Sequence, residues 1–136
     1  MGTRRRARES AIQCLYQWEV TGASPELILQ GYWESRDLVD AGLKRFAASL
    51  VLGTVAHVEE IDAMISEQTH HWRMDRLGLV EKSILRLGGY ELVYEEDTPA
   101  AVVIDEAVEL SKRFSDPEAS AFVNGVLDGM SKRVGT

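Results

Sequence analysis

L-V-E-K-S-I-L-R-L-G-G-Y-E-L, from Leu79 to Leu92, reads as a helix. Val80, Ile84, Leu87 and Tyr90 recur at spacings of four and three, which places them on one helical face, and no proline interrupts the run to Tyr94. Gly88 and Gly89 stand together inside it. Each glycine weakens a helix by roughly 1 kcal/mol relative to alanine. The pair therefore predicts a second helix crossing close against this backbone.

Outward from this segment the same period recurs. Before it, Leu43, Phe46, Ala47, Leu50, Val51, Thr54, Val58, Ile61 and Ile65 keep a helical spacing, and the simplest reading is one long helix over 39–65. Ala7, Ala11, Cys14, Leu15 and Trp18 draw one apolar stripe along a first helix from about Arg4 to Val20, which Gly22 ends. Ser24, Pro25 and Glu26 signal a cap with proline at the first helical position, starting a short helix that carries Leu27, Ile28 and Trp33. After it, Asp97-Thr98-Pro99 repeats that signal ahead of an inner face of Ala100, Ile104, Ala107, Val108 and Ser111. Ser115 and Glu118 have capping-box spacing, and Ala119, Phe122, Val126, Leu127 and Met130 follow on one face. No segment alternates at period two. The expected fold is all-α, with about six to seven helices in two small bundles forming one compact domain. The polar stretch 67–78 is the expected connector, dividing subdomains of about 1–68 and 75–136.

Composition bounds the function. The 136 residues suffice for one core, and 45% hydrophobic with 27% charged residues is ordinary for a folded chain. No apolar run approaches the roughly 20 residues of a membrane span, and a lone cysteine, Cys14, forms no internal disulfide, so a cytoplasmic location is expected. The net charge is −7, yet Arg4, Arg5, Arg6 and Arg8 precede the first acid, Glu9. With a Debye length of about 8 Å such a cluster keeps a local positive field on an acidic body. Arginine offers a planar fork for phosphate and a face for bases, and Tyr16 shares a helical stripe with Arg5, Arg8 and Ile12, an arrangement suited to single-stranded RNA. The bland reading of the cluster is a solvated basic terminus. The positive end of a helix dipole weighs against it, since massed cations there are unfavourable without an anion.

Other constellations carry less. His70 and His71 point apart and Cys14 has no partner, so no metal is expected. Asp105 and Glu109 share a helical face that solvation explains. No phosphate-binding loop, nucleophile elbow or dinucleotide fingerprint is present, and neither enzyme activity nor a cofactor is expected.

R-R-R-A-R-E-S-A-I-Q-C-L-Y at Arg4–Tyr16, the quoted block at 79–92, A-V-V-I-D-E-A-V-E-L-S-K-R-F at Ala101–Phe114 and F-V-N-G-V-L-D at Phe122–Asp128 resemble the NusB family of bacterial transcription antitermination factors. Only Thr21–Gly42 matches poorly, and Gly88 and Gly89 stand where alanine is more usual. The resemblance implies two helical subdomains without catalytic activity. It also implies binding of boxA RNA from ribosomal RNA transcripts together with NusE, a small-subunit ribosomal protein, within an RNA polymerase elongation complex. By resemblance Arg4, Arg5, Arg6 and Arg8 match the RNA-binding segment, Tyr16, Phe114, Glu118 and Phe122 match positions near the RNA path, and Asp75, Arg76 and Glu81 match the NusE-facing region. Phe122 also fits the core stripe. Two other readings remain: the RNA-binding domain of a ribosomal RNA cytosine methyltransferase, which needs a further catalytic domain beyond Thr136, and a protein-only helical adaptor. A homodimer that covers the partly apolar basic stripe is also compatible with the sequence.

Overall fold

The computed structural model describes residues 3–36, 39–69 and 77–135. Seven helices account for the regular structure of these residues, with no strand among them: α1 (Thr3–Thr21), α2 (Pro25–Glu34), α3 (Ala41–Ala56), α4 (Val58–Gln68), α5 (Leu79–Tyr94), α6 (Ala100–Phe114) and α7 (Pro117–Arg133). The chain divides into two units, Met1–Ala56 and His57–Thr136.

In the first unit α1 packs on both α2 and α3. Ala7, Ala11, Cys14 and Leu15 are buried as their spacing predicts, and Gly22 stops α1 with φ +70°, a left-handed conformation that a side chain disfavours. Ser24 caps α2, its Oγ accepting from the Leu27 amide at 3.2 Å, with Pro25 next. In α2 the buried face is Ile28, Leu29 and Tyr32; of the expected Leu27, Ile28 and Trp33, Leu27 is exposed and Trp33 half-buried.

The second unit is built around α5, which α4, α6 and α7 all contact. Every residue from Lys82 to Leu92 is buried, so this helix is enclosed on all sides. The glycine pair serves the crossing predicted for it. A Cβ at position 88 would lie 2.8 Å from Leu127 Cδ1, and one at 89 would lie 2.9 Å from Met130 Cε and 3.0 Å from Ile61 Cγ2. Arg86 Nε and Nη2 each donate to an Asp62 carboxylate oxygen at 2.8 Å, tying α5 to α4.

Several expectations are corrected. The long helix over 39–65 is two helices, parted at His57 (φ −114°, ψ 18°). The Ile61 amide still donates to the His57 carbonyl at 3.0 Å, and the His57 ring stacks on Tyr94 at 3.9 Å between centroids. A side-chain stack made with a distant helix thus holds a break that the apolar period runs straight through. The division between units follows this break at 56/57, not the polar stretch 67–78, and α4 belongs with the second unit. Residues 70–76, with His70 and His71, lie outside the described residues.

The caps of the last two helices also shift. Pro99 is itself the N-cap of α6, without a side-chain cap bond, and its carbonyl accepts from the amides of Val102 and Val103. For α7 the cap is Asp116, whose Oδ1 accepts from the Ala119 amide at 2.8 Å, with Pro117 at the first turn. Ser115 closes α6 instead. The buried faces are Val103, Ala107, Leu110 and Ser111 on α6, and Ser120, Val123, Val126, Leu127, Met130 and Ser131 on α7. Phe122 is only half-buried, so it is not a core residue.

Candidate nucleic-acid interface

The arginine segment opens α1, whose first turn carries no acidic residue. The four side chains divide. Arg4 and Arg6 are exposed, Arg5 is half-buried, and Arg8 is 3% exposed. Arg4 and Arg8 are one turn apart, and their guanidinium carbons stand 4.1 and 5.5 Å from the centre of the Phe46 ring on α3. Arg8 follows the fully buried Ala7, which packs on Leu43 and Ala47 of α3, and is itself buried with its charged head. Burial thus sets Arg8 apart from Arg4, Arg5 and Arg6, with which the sequence groups it. Ile12 is buried as well, which interrupts the surface stripe before the exposed Tyr16. Arg6, on another side of α1, lines a cavity beside α2.

In the second unit a concavity of about 310 Å³ is lined by Glu81 of α5, Ser115, Asp116, and Glu118, Ala119 and Phe122 of α7. Glu118 and Phe122 are one helical turn apart, and the Ser115 hydroxyl donates to Glu81 Oε2 at 2.5 Å. The fold thus brings Glu81, read as partner-facing, together with Glu118 and Phe122, read as lying near RNA. Phe114, half-buried at the end of α6, has the Arg113 guanidinium 5.5 Å from its ring centre. No lining residue of this concavity is basic. Its three carboxylates repel phosphate and favour a cationic partner group or the donor edge of a base. Asp75 and Arg76 lie outside the described residues.

Comparison with known proteins decides the family. The NusB family model matches residues 5–132. The chain belongs to the NusB family. It is 45% identical over 131 residues to the transcription antitermination protein NusB of Myxococcus xanthus, covering 94% of each chain. To the NusB of Treponema denticola it is 42% identical over 131 residues, covering 96% of each. Among solved structures it is similar to a chain in a crystallised complex of the antitermination factors NusB and NusE with double-stranded RNA. There the TM-score is 0.89 and the identity 35%, with 98% of both chains covered. The NusB-family match spans both units: Arg5, Arg6 and Arg8 of α1 and the concavity by α7 fall within it, and Arg4 lies just before it.

Sequence reading of this NusB-family chain missed the Arg86–Asp62 pair and the cavity that Arg6 lines. The signal for the first is a charged residue inside the apolar run Ile84–Leu87 of α5. For the second it is the cluster Y-W-E-S-R at Tyr32–Arg36, inside the stretch where the resemblance is weakest. Among the described residues no group of histidine, cysteine, aspartate and glutamate side chains is placed to hold a metal ion, and no helix is long and apolar enough to cross a membrane.

Proposed function

We propose that this chain is a cytoplasmic, non-catalytic transcription antitermination factor that binds boxA RNA of ribosomal RNA transcripts together with NusE. The observation that carries this reading is the likeness, over 98% of both chains, to a protein in a crystallised NusB–NusE–RNA complex. Arg4 and Arg6 supply exposed phosphate contacts at the start of α1, with Arg5 beside them and Tyr16 as a stacking face further along. Phe114, Glu118 and Phe122 meet bases on the second unit, where aromatic stacking tolerates the acidic surroundings better than phosphate does. Asp75, Arg76 and Glu81 face NusE. The relatives from Myxococcus and Treponema are matched over 94% and 96% of their own length, which favours an antitermination factor over one domain of a methyltransferase.

The test is a gel shift with a boxA RNA, with and without NusE. Binding by the chain alone, strengthened by NusE, is expected; no shift in either lane would remove the RNA reading and leave a protein adaptor. Glu81→Lys is expected to weaken NusE capture more than RNA binding by the isolated chain. Capture at wild-type strength by this variant would take Glu81 out of the partner surface.

A further inference from the structure

We propose that the cavity of the first unit, about 380 Å³, holds one unpaired nucleotide of the bound single-stranded RNA, its base on Trp33 and its phosphate between Arg6 and Arg36. This rests on the RNA-binding reading above and adds a contact on α2, outside the residues matched to the family's RNA surface.

The cavity opens between α1 and α2, with Arg6, Glu9 and Gln13 on one wall and Tyr32, Trp33 and Arg36 on the other. Arg36 is exposed yet held in place. Its guanidinium carbon lies 3.4 Å from the centre of the Tyr32 ring, Nη1 donates to the Tyr32 carbonyl at 3.0 Å and to Ser35 Oγ at 2.9 Å, and Nη2 donates to Gln13 Oε1 at 3.2 Å. The Tyr32 hydroxyl, 3.2 Å from both Ser10 Oγ and Gln13 Oε1, fixes the ring beneath it. Of the five guanidinium donors these bonds use three, leaving the Nε–H and one Nη2 hydrogen for an anion, with the side chain already ordered.

Trp33 is half-buried and anchored, edge-on to Tyr32 at 4.9 Å and packed on the cluster of Ala7, Leu43 and Ala47. Lys44 Nζ approaches its ring to 5.9 Å. Two arginines, Arg6 and Arg36, thus line the cavity with the indole, and Lys44 adds a third cation beside the ring, in a chain of net charge −7. A bare phosphate has no use for the indole, and an apolar ligand has no use for the cations; a nucleotide uses both. Inside, the Glu9 carboxylate and the Gln13 amide can meet polar atoms on a base edge. The volume lies within the range of about 300–1,000 Å³ usual for small-ligand sites. Arg6 stands two residues from the exposed Arg4 on a different flank of the same helix, so a strand crossing the start of α1 meets both; this favours RNA over a free nucleotide.

The experiment measures affinity of the full chain for a boxA RNA with single-stranded flanks in which each nucleotide in turn is made abasic, for wild type and Trp33→Leu. One abasic position is expected to cost wild type about five- to 150-fold, the worth of one base–aromatic stack, and to cost Trp33→Leu nothing further. Additive losses at every position would overturn the cavity assignment while RNA binding stands; absence of wild-type RNA binding would instead sink the function proposed above. Arg36 also closes the end of α2, so the indole, not the arginine, is the variant chosen. Should Trp33→Leu fail to fold, photo-cross-linking of wild type to RNA carrying 4-thiouridine at each position replaces it. Cross-links to the peptide bearing Tyr32 and Trp33 are expected, and their absence, or their loss on adding millimolar AMP or GMP while the RNA remains bound, would overturn the proposal.

Discussion

Replacing Arg4 and Arg6 together by alanine separates charge proposed to meet RNA from charge that is buried in the fold. Both side chains are exposed, whereas Arg8 is 3% exposed in the seam beside Phe46. For single-stranded RNA the slope of log affinity against log salt is about −0.7 per phosphate neutralised. Loss of two contacts should flatten that slope by about 1.4, so that a fourfold rise in salt costs the double variant about sevenfold less affinity than it costs wild type. Its melting temperature should stay close to wild type. Arg8→Ala should do the reverse: the slope barely changes, and stability drops by about 1–3 kcal/mol through lost packing of the stem. Filter binding or fluorescence anisotropy across a salt series, with thermal melts of each variant, reads both quantities. A wild-type slope in Arg4→Ala/Arg6→Ala beside a flattened slope in a folded Arg8→Ala would refute this division of the arginines.

Further predictions concern the second unit and the lone thiol. Asp62→Ala should cost about 3 kcal/mol in urea unfolding, the low end of the range for breaking a buried pair because Asp62 is 27% exposed, while Asp62→Leu with Arg86→Met should recover most of it; equal losses in both would show that packing and not the ion pair matters. Burial pushes the Cys14 thiol up to about 12, against a smaller opposing pull from Arg36, so a thiol reagent at pH 8 should label the chain only as fast as it opens. Immediate labelling of the native protein would contradict this. The Tyr94 hydroxyl, donating at 2.8 Å, and then His57 hold the Glu60 carboxyl below its ordinary range. A lowered folded value means a contribution present at neutral pH and lost as pH falls from the ordinary glutamate range through that lowered value. Glu60→Gln should therefore flatten the acid limb of melting temperature against pH, and an unchanged limb would dismiss the interaction.

Sequence alone determined where most helices lie. Gly22 and Ser24-Pro25 punctuate the chain by local backbone chemistry, and the run from Leu79 to Tyr94 has the bounds its apolar period gives it. The arginine cluster and the glycine pair were legible for the same reason, because charge density and a missing Cβ are properties of neighbouring residues. Tertiary structure decided what covers each face. The period through 39–65 is continuous, and only the stacking of His57 on a ring from α5 reveals the break. Arg8 resembles its neighbours in sequence and differs from them in burial, which the packing of α1 within the first unit decides. Ser115 has the spacing of a cap, yet Asp116 takes that place and the Ser115 hydroxyl goes to Glu81. Periodicity fixes the direction in which a side chain leaves its helix, whereas burial, pairing and cavities depend on which distant segment arrives there. That choice belongs to packing of the whole chain.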